Sequence, residues 1–140
     1  LLASHRRPRP QLLAAAPLVV GGAKAAIEVS DGLGRDLGNI AESSGVGIRV
    51  DAARLPVHPA LVDAADVLGQ DPIDWVVAGG DDYAIVATVA PERLARLEAS
   101  LETSGLRPAI IGEVVDGRGV TLVDEDGQHR DLTQDGWEHP

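Results

Sequence analysis

Glu28-Val29-Ser30-Asp31-Gly32-Leu33, residues 28–33, marks the place where a strand pattern changes into a helix pattern. Ahead of it, residues 25–29 are apolar except at Glu28, which predicts a strand. Behind it, apolar residues recur at helical spacing, at Leu33, Leu37, Ile40 and Ala41. Gly45 stands where a glycine commonly ends a helix in the left-handed conformation. The stretch therefore predicts a strand, a turn and an amphipathic helix.

The alternation of strand and helix patterns continues to the end of the chain. Further strands are predicted at 46–51, 83–89, 109–115, 120–123 and 129–132. Helices are predicted at 11–16 and 59–68, and two more begin at Pro72 and Pro91, because proline is favoured at the first helical position. Pro17 is expected to end the first helix, and Asp126-Gly127 predicts a hairpin turn. This order predicts helices packed on a sheet, that is, an α/β fold.

Length, charge and composition narrow the classes of protein to consider. The chain has 140 residues, enough for one compact domain. Its net charge of −10 repels phosphate backbones, so nucleic acid is not expected as a partner. Cysteine is absent, which excludes disulfides and thiolate metal sites and fits a cytoplasmic location. Proline, glycine and lysine interrupt the apolar stretches well before the roughly 20 residues that span a bilayer, so no membrane segment is expected.

Three oxygen-bearing side chains lie at the boundary between the predicted strand and helix. Glu28 and Ser30 are two residues apart and would share a face of the strand, while Asp31 enters the turn. Amides at the start of a helix favour a phosphate oxygen, and Mg²⁺ between phosphate and carboxylates would remove their repulsion. The simpler alternative is that Ser30 or Asp31 only caps the helix. That alternative leaves Glu28 unexplained, since a carboxylate that ends an apolar strand needs an ion, a donor or solvent.

A second candidate site is Gly79-Gly80-Asp81-Asp82-Tyr83, which places two carboxylates and a phenol in a flexible break before a strand. Its simpler alternative is a glycine-rich turn in which the Asp side chains bond their own backbone. Trp137 follows Gly136 in a polar tail, where the indole could pack on the sheet or cover a flat ligand ring. The 4 histidines show no spacing typical of a zinc site.

Taken in order, these motifs resemble thiamine-monophosphate kinase. The resemblance rests on several short segments, namely Glu28–Leu33 with Asp36-Leu37, Ile40-Ala41-Glu42, Gly79–Tyr83, Ile111-Gly112 and Gly136-Trp137. It covers nearly the whole chain and matches the C-terminal domain of that family, within the superfamily of aminoimidazole ribonucleotide synthetase. It implies a three-layer α/β/α domain with a mixed sheet.

The resemblance also implies an activity, the transfer of the γ-phosphoryl group of ATP to thiamine monophosphate with Mg²⁺ between the phosphate chains. By motif, Glu28 and Asp31 are similar to magnesium ligands and Ser30 to an ATP contact. Asp81 resembles the substrate-binding carboxylate, and Trp137 resembles the aromatic residue that contacts thiamine. The sequence departs from the family's pattern where Glu28 replaces Asp and Asp81 replaces Glu. Because Mg²⁺ requires near-octahedral geometry, either change could move an ion or require a bridging water.

The same resemblance divides the chain into a linker with a short helical lead-in at 1–24 and a C-terminal kinase domain at 25–140. The chain begins with Leu1 and contains no Met, so a missing upstream segment is expected. The resemblance implies that this segment is an N-terminal domain with most of the magnesium-binding acids and a homodimer surface. The chain alone is expected to fold without turnover. Two alternatives stay open. One is another ATP-dependent enzyme of the superfamily, such as aminoimidazole ribonucleotide synthetase, selenophosphate synthetase or a hydrogenase-maturation protein, and the other is a divergent, non-catalytic assembly domain.

Overall fold

Strands and helices alternate along the part of the chain that the computed structural model describes, residues 6–133 and 135–136. The α-helices are α1 (Ala15–Gly21), α2 (Leu33–Ser44), α3 (Pro59–Leu68), α4 (Pro72–Ala78) and α5 (Leu94–Thr103). The strands are β1 (Ala23–Val29), β2 (Gly47–Asp51), β3 (Ala84–Val89), β4 (Gly112–Val115), β5 (Gly119–Val123) and β6 (His129–Asp131). Short 3-10 helices cover Leu12–Ala14, Ala52–Arg54 and Pro91–Arg93.

A two-stranded antiparallel sheet, β1 with β3, lies between helices on both of its faces. The two strands pair so that Val29 lies opposite Ala84 and Glu28 lies opposite Ile85. One face contributes Val29 to the main core, which also contains apolar residues of α2. The other face contributes Ile85 to a second core that is formed by α1 and α5 around Leu18 and Leu97. Alternate residues of β3 therefore pack against opposite layers, Val86 against the main core and Ile85 and Ala87 against the second one, and the result is an α/β/α arrangement.

A four-stranded mixed sheet forms the rest of the framework, in the order β4-β2-β5-β6. β2 is antiparallel to β4 and parallel to β5, and β5 is antiparallel to β6. Helix α2 contacts both β1 and β5, so one helix joins the two sheets. Val50 on β2, Val77 on α4 and Leu132 after β6 have 0% of their surface exposed. The main core therefore lies between α2 and the mixed sheet.

The α/β fold class that the sequence predicts is confirmed, and so are helices α2 to α5 and the hairpin of β5 and β6. The structure divides the strands between two sheets, and the mixed one has four strands. The predicted break at Pro17 is wrong, because α1 continues through it to Gly21. Pro17 is the third residue of α1, within the first turn, where the missing N–H would have no helical partner. Gly22 ends the helix in the left-handed conformation, with φ 87°.

Within residues 6–133 and 135–136, the chain has no helix with the length and apolar character needed to cross a bilayer.

Leu132 provides a test of this packing. Leu132→Ala should lower the free energy of unfolding by about 2–5 kcal/mol, because it leaves a cavity in the main core. The matched control is Leu68→Ala at the end of α3, where the side chain is 64% exposed and the expected change is within about 0.5 kcal/mol. Urea unfolding followed by circular dichroism measures both values. Equal losses in the two variants would contradict the described core.

Candidate functional site

The loop between β1 and α2 is built around one buried carboxylate. Asp36 lies in the first turn of α2 and is 2% exposed. Its Oδ2 accepts hydrogen bonds from the amides of Ser30, over 2.9 Å, and of Asp31, over 3.1 Å. Asp36 therefore draws two main-chain donors of the loop toward the protein interior and sets the direction of the backbone there.

Neither Ser30 nor Asp31 caps helix α2. The residue at the N-cap is Gly32, and no side chain makes a cap hydrogen bond. The Ser30 hydroxyl instead donates to Asp31 Oδ1 over 3.4 Å. The interpretation of these residues as a simple helix cap is therefore wrong. Since Asp36 accepts both of their amides, the loop would contact a ligand through side-chain oxygens rather than through these two N–H groups.

The structure brings the two predicted motifs together. The amide of Asp81 donates to the Ser30 carbonyl over 2.8 Å, and the amide of Tyr83 donates to the Val29 carbonyl over 2.9 Å. These bonds extend the pairing of β1 with β3 beyond the regular strands. Asp81 and Tyr83 adopt φ values of 63° and 52°, in the left-handed region that non-glycine residues rarely occupy and that is frequent at functional sites. The Gly79–Tyr83 segment is therefore held beside the Ser30–Asp31 loop.

Three glycines let the main chain approach this loop closely. A Cβ on Gly32 would lie 3.1 Å from the Ala78 carbonyl oxygen and 3.2 Å from the Gly136 Cα. A Cβ on Gly80 would lie 2.6 Å from the Ser30 carbonyl oxygen, and one on Gly136 would lie 2.5 Å from the Asp31 carbonyl oxygen. The end of α4, the Gly79–Tyr83 segment and the C-terminal segment therefore all converge on residues 30–32.

The carboxyl of Asp82 lies next to that of Asp81 beside the loop. Partial burial, and secondly the negative charge of Asp81, raise the pKa of the Asp82 carboxyl above its ordinary value of 3.8. Each effect disfavours the charged form, and a bound cation would oppose both. Together with Ser30 and Asp31, this end of the sheet presents oxygen atoms, which are the donors that Mg²⁺ prefers.

Glu28 lies on the exposed side of β1, three residues before Asp31. It lines an open cleft of about 350 Å³ along β1 and α1, together with Lys24 and Val19. Solvent therefore hydrates its carboxylate, and burial does not require an ion there. The expectation that Glu28 needs an ion or a donor because it ends an apolar strand therefore no longer holds.

Two further results bear on the predicted site residues. Among residues 6–133 and 135–136, no group of three or more His, Cys, Asp or Glu side chains is arranged to hold a metal ion. Trp137 lies outside the described residues. Asp36 was not predicted as a structural element of the loop, although its position five residues after Asp31, on the helix face with Leu33 and Leu37, could have indicated it.

Comparison with known proteins identifies one protein family over most of the chain. Residues 2–125 match the family model described as AIR synthase related protein, C-terminal domain. Thiamine-monophosphate kinase of Mycobacterium tuberculosis is 43% identical over 122 residues, which cover 86% of this chain and 33% of the relative. Thiamine-monophosphate kinase of Caulobacter vibrioides is 36% identical over 146 residues, which cover 99% of this chain and 40% of the relative. The chain thus spans well under half the length of these relatives.

Solved structures with similar folds include two named as thiamine-monophosphate kinase or ThiL and one hydrogenase maturation protein. The crystal structure of thiamine-monophosphate kinase from Stenotrophomonas maltophilia superposes with a TM-score of 0.74 at 39% identity, over 87% of this chain and 37% of that one. AaThiL complexed with AMPPCP and TMP superposes with a TM-score of 0.70 at 26% identity, over 99% of this chain and 46% of that one. The hydrogenase maturation protein HypE of E. coli also reaches 0.70, at 26% identity over 91% of this chain and 39% of that one.

Gly80 tests the contact between the two motifs. Gly80→Ala should lower the free energy of unfolding by about 1–3 kcal/mol, because its Cβ would press on the Ser30 carbonyl. Gly38→Ala on α2 is the matched control, since its Cβ would lie an ordinary 3.6 Å from Thr133 and alanine favours the helix by up to about 1 kcal/mol. Thermal unfolding of both variants decides the matter, and a Gly80→Ala protein as stable as Gly38→Ala would contradict this contact.

The raised pKa of Asp82 predicts a dependence of stability on pH. The folded chain binds this proton more tightly than the unfolded chain, so the contribution is fully present below the ordinary pKa of 3.8 and is lost as the pH rises through the folded pKa. Asp82→Asn should therefore gain stability relative to the wild type as the pH rises toward neutrality, by no more than about 0.5 kcal/mol. Denaturant unfolding from pH 3 upward measures the difference, with Asp63→Asn on α3 as the control. A gain that is the same at every pH would refute the assignment.

Proposed function

The chain belongs to the family described as AIR synthase related protein, C-terminal domain, and from this membership we propose that it is the C-terminal domain of a thiamine-monophosphate kinase. The parent enzyme would transfer the γ-phosphoryl group of ATP to the phosphate of thiamine monophosphate. The new bond forms between a phosphate oxygen of the acceptor and the γ-phosphorus, the bond from the γ-phosphorus to the β–γ bridging oxygen breaks, and ADP leaves with thiamine diphosphate as the other product. Relatives that carry the name thiamine-monophosphate kinase support this proposal.

One observation of the structure carries the proposal most directly. The Asp81 amide bonds the Ser30 carbonyl over 2.8 Å, so the two motifs that resemble the kinase meet at one end of the β1–β3 sheet. The bond continues the pairing of β1 with β3, so the two motifs lie side by side at the ends of neighbouring strands. Their meeting supports a single site built from both.

We assign roles to the residues of this site by motif. Glu28 and Asp31 would be magnesium ligands, and Ser30 would contact ATP. Asp81 would bind thiamine monophosphate. The AaThiL structure, a similar protein complexed with TMP, provides a precedent for such binding. Trp137 is proposed as the aromatic contact of the thiamine ring, and it lies outside the described residues.

The donor set fits Mg²⁺, because carboxylate and hydroxyl oxygens are hard ligands and the ion commonly takes one or two carboxylates together with substrate phosphates. When bound, Mg²⁺ would neutralise the charge of the phosphate groups. The protein's own part is positioning: Ser30 and Asp31 are held by Asp36, and Asp81 is held by the Ser30 carbonyl. Phosphoryl transfer depends mainly on such positioning and on charge neutralisation.

The remaining magnesium ligands would come from outside this chain. Residues 6–133 and 135–136 contain no cluster of three possible ligands, and the match covers 33% to 42% of the kinases compared. We propose that residues 25–140 form the C-terminal domain after a lead-in at 1–24, and that an N-terminal domain of the parent supplies further acids. The parent is proposed to be a cytoplasmic homodimer, and the 140 residues alone are expected to fold without turnover.

A second candidate is another enzyme of the same superfamily. The HypE structure of E. coli, with a TM-score of 0.70 at 26% identity, favours a hydrogenase-maturation type among these. A non-catalytic assembly domain is the remaining alternative. Both differ from the kinase in a measurable way, since neither requires binding of thiamine monophosphate that depends on Mg²⁺.

Asp31 tests the proposed function in the parent polypeptide. With ATP, Mg²⁺ and thiamine monophosphate, the wild-type parent should form thiamine diphosphate, measured by chromatography, while the 140-residue chain should form none. Asp31→Asn should lower kcat/KM by at least about 100-fold, since loss of a ligand costs more than the 10–100-fold typical of its supporting contacts. Asp63→Asn, an exposed position on α3, is the matched control and should retain wild-type activity.

The outcomes separate the alternatives. A parent that binds ATP but neither binds nor phosphorylates thiamine monophosphate would favour another enzyme of the superfamily. A parent that binds neither compound would favour the assembly domain. Thiamine diphosphate formation by the 140 residues alone would contradict the proposed need for an N-terminal domain.

A further inference from the structure

Asp36 is a buried carboxylate that the proposed reaction does not place in contact with the metal or a substrate. It is 2% exposed, and charged side chains are almost never fully buried unless they are paired. Within the part of the chain that the structure describes, it is the sole polar or charged residue that is buried. A group that is costly to bury and yet is buried must make interactions that compensate the cost.

The interactions of Asp36 are directed at one place. One oxygen, Oδ2, accepts both the Ser30 amide at 2.9 Å and the Asp31 amide at 3.1 Å. Hydrogen bonds from amides to a carboxylate are roughly twice as strong as those between neutral groups. Asp36 is anchored in turn because it belongs to α2, where its own amide donates to the Gly32 carbonyl over 3.0 Å. A rigid helix thus holds the two residues before Gly32 by their main chain.

The two amide bonds constrain the backbone from which the Ser30 and Asp31 side chains project. Asp36 holds the N–H groups of Ser30 and Asp31. The two backbone nitrogens are thereby fixed, and they help to set the Cα–Cβ directions of these residues. The Ser30 carbonyl is fixed as well, because it accepts the Asp81 amide. The two peptide groups that flank Ser30 are therefore held at their N–H groups by Asp36 and at their carbonyls by the amides of Tyr83 and Asp81, so the backbone of the loop has little freedom to turn.

We propose that Asp36 is a positioning residue, whose buried carboxylate orients Ser30 and Asp31 toward the metal and nucleotide of the phosphoryl-transfer site. This inference rests on the proposed function, which it deepens by naming the group that holds the ligands. Asp36 touches neither substrate nor metal, and it acts through the two amides. Contacts of this kind behind a metal ligand typically change metal affinity or activity by 10–100-fold.

The variants separate positioning from stability. Asp36→Ala removes both hydrogen bonds, whereas Asp36→Asn keeps an oxygen that can accept them. Asp124→Ala is the matched control: Asp124 Oδ1 likewise accepts two amides, from Asp126 at 3.0 Å and Gln128 at 2.7 Å, but in the exposed β5–β6 turn. Asp36→Glu, which displaces the carboxylate by one methylene, replaces the alanine variant if that variant does not fold by circular dichroism.

In the parent kinase, the Mg²⁺ concentration for half-maximal rate should rise by about 10–100-fold for Asp36→Ala and return most of the way for Asp36→Asn. It should be unchanged for Asp124→Ala. A fall in melting temperature with an unchanged Mg²⁺ requirement would reduce Asp36 to a structural residue and overturn the proposal. A loss in Asp36→Asn as large as in Asp36→Ala would overturn it too, because the hydrogen bonds would then not be the cause.

A second measurement does not depend on kinase activity. In the 140-residue chain, nuclear magnetic resonance follows the Ser30 and Asp31 amides while Mg²⁺ is added. The proposal predicts that both amides are protected from hydrogen exchange, that Mg²⁺ shifts the Asp31 resonance, and that Asp36→Ala abolishes the protection and weakens the Mg²⁺ response. If the wild-type parent makes no thiamine diphosphate, the proposed function fails, and this titration alone decides the positioning proposal. Equal Mg²⁺ responses in wild type and Asp36→Ala would overturn it.

Discussion

Three stretches of main chain meet at residues 30–32, and the absence of side chains at glycine makes their approach possible. A Cβ on Gly80 would lie 2.6 Å from the Ser30 carbonyl oxygen, and one on Gly136 would lie 2.5 Å from the Asp31 carbonyl oxygen. Real Cβ atoms essentially never come so close to a backbone oxygen, so any other residue would push the segments apart. The site-bearing loop is therefore shaped by backbone packing before any side-chain chemistry is considered.

The same loop also connects the layers of the fold. It ends β1, one face of which packs on the main core, and it begins α2, which contacts both sheets. A shift of the loop would therefore move β1 relative to the mixed sheet as well as the candidate site. Asp36 supplies the polar part of this connection, because its two amide bonds tie the end of β1 to the first turn of α2. Stability and site geometry thus depend on the same few contacts.

The sequence predicts the local elements well where periodicity and helix signals agree. The apolar spacing after Gly32, with Gly45 in the left-handed conformation at the end, predicts α2 almost to the residue. It does not predict what lies across space. The tertiary structure decides that Asp36, rather than Ser30, is the polar side chain that holds the loop. The tertiary structure also decides how closely Gly136 approaches Asp31. The prediction that Pro17 ends a helix failed for a local reason, because the effect of a proline depends on whether it falls in the first turn of the helix or later.

Charge explains why the site is proposed as one half of a larger one. The chain carries a net charge of −10, and Asp31, Asp81 and Asp82 lie at the same end of the β1–β3 sheet. Anionic phosphates would be repelled there unless cations intervened. Two or three carboxylates held in place by backbone contacts suit an ion that takes few protein ligands and completes its shell with phosphate and water. Such a surface gains its function when a second set of acids and the substrates approach it, so rigid positioning of the loop beforehand lowers the ordering cost of assembling the site.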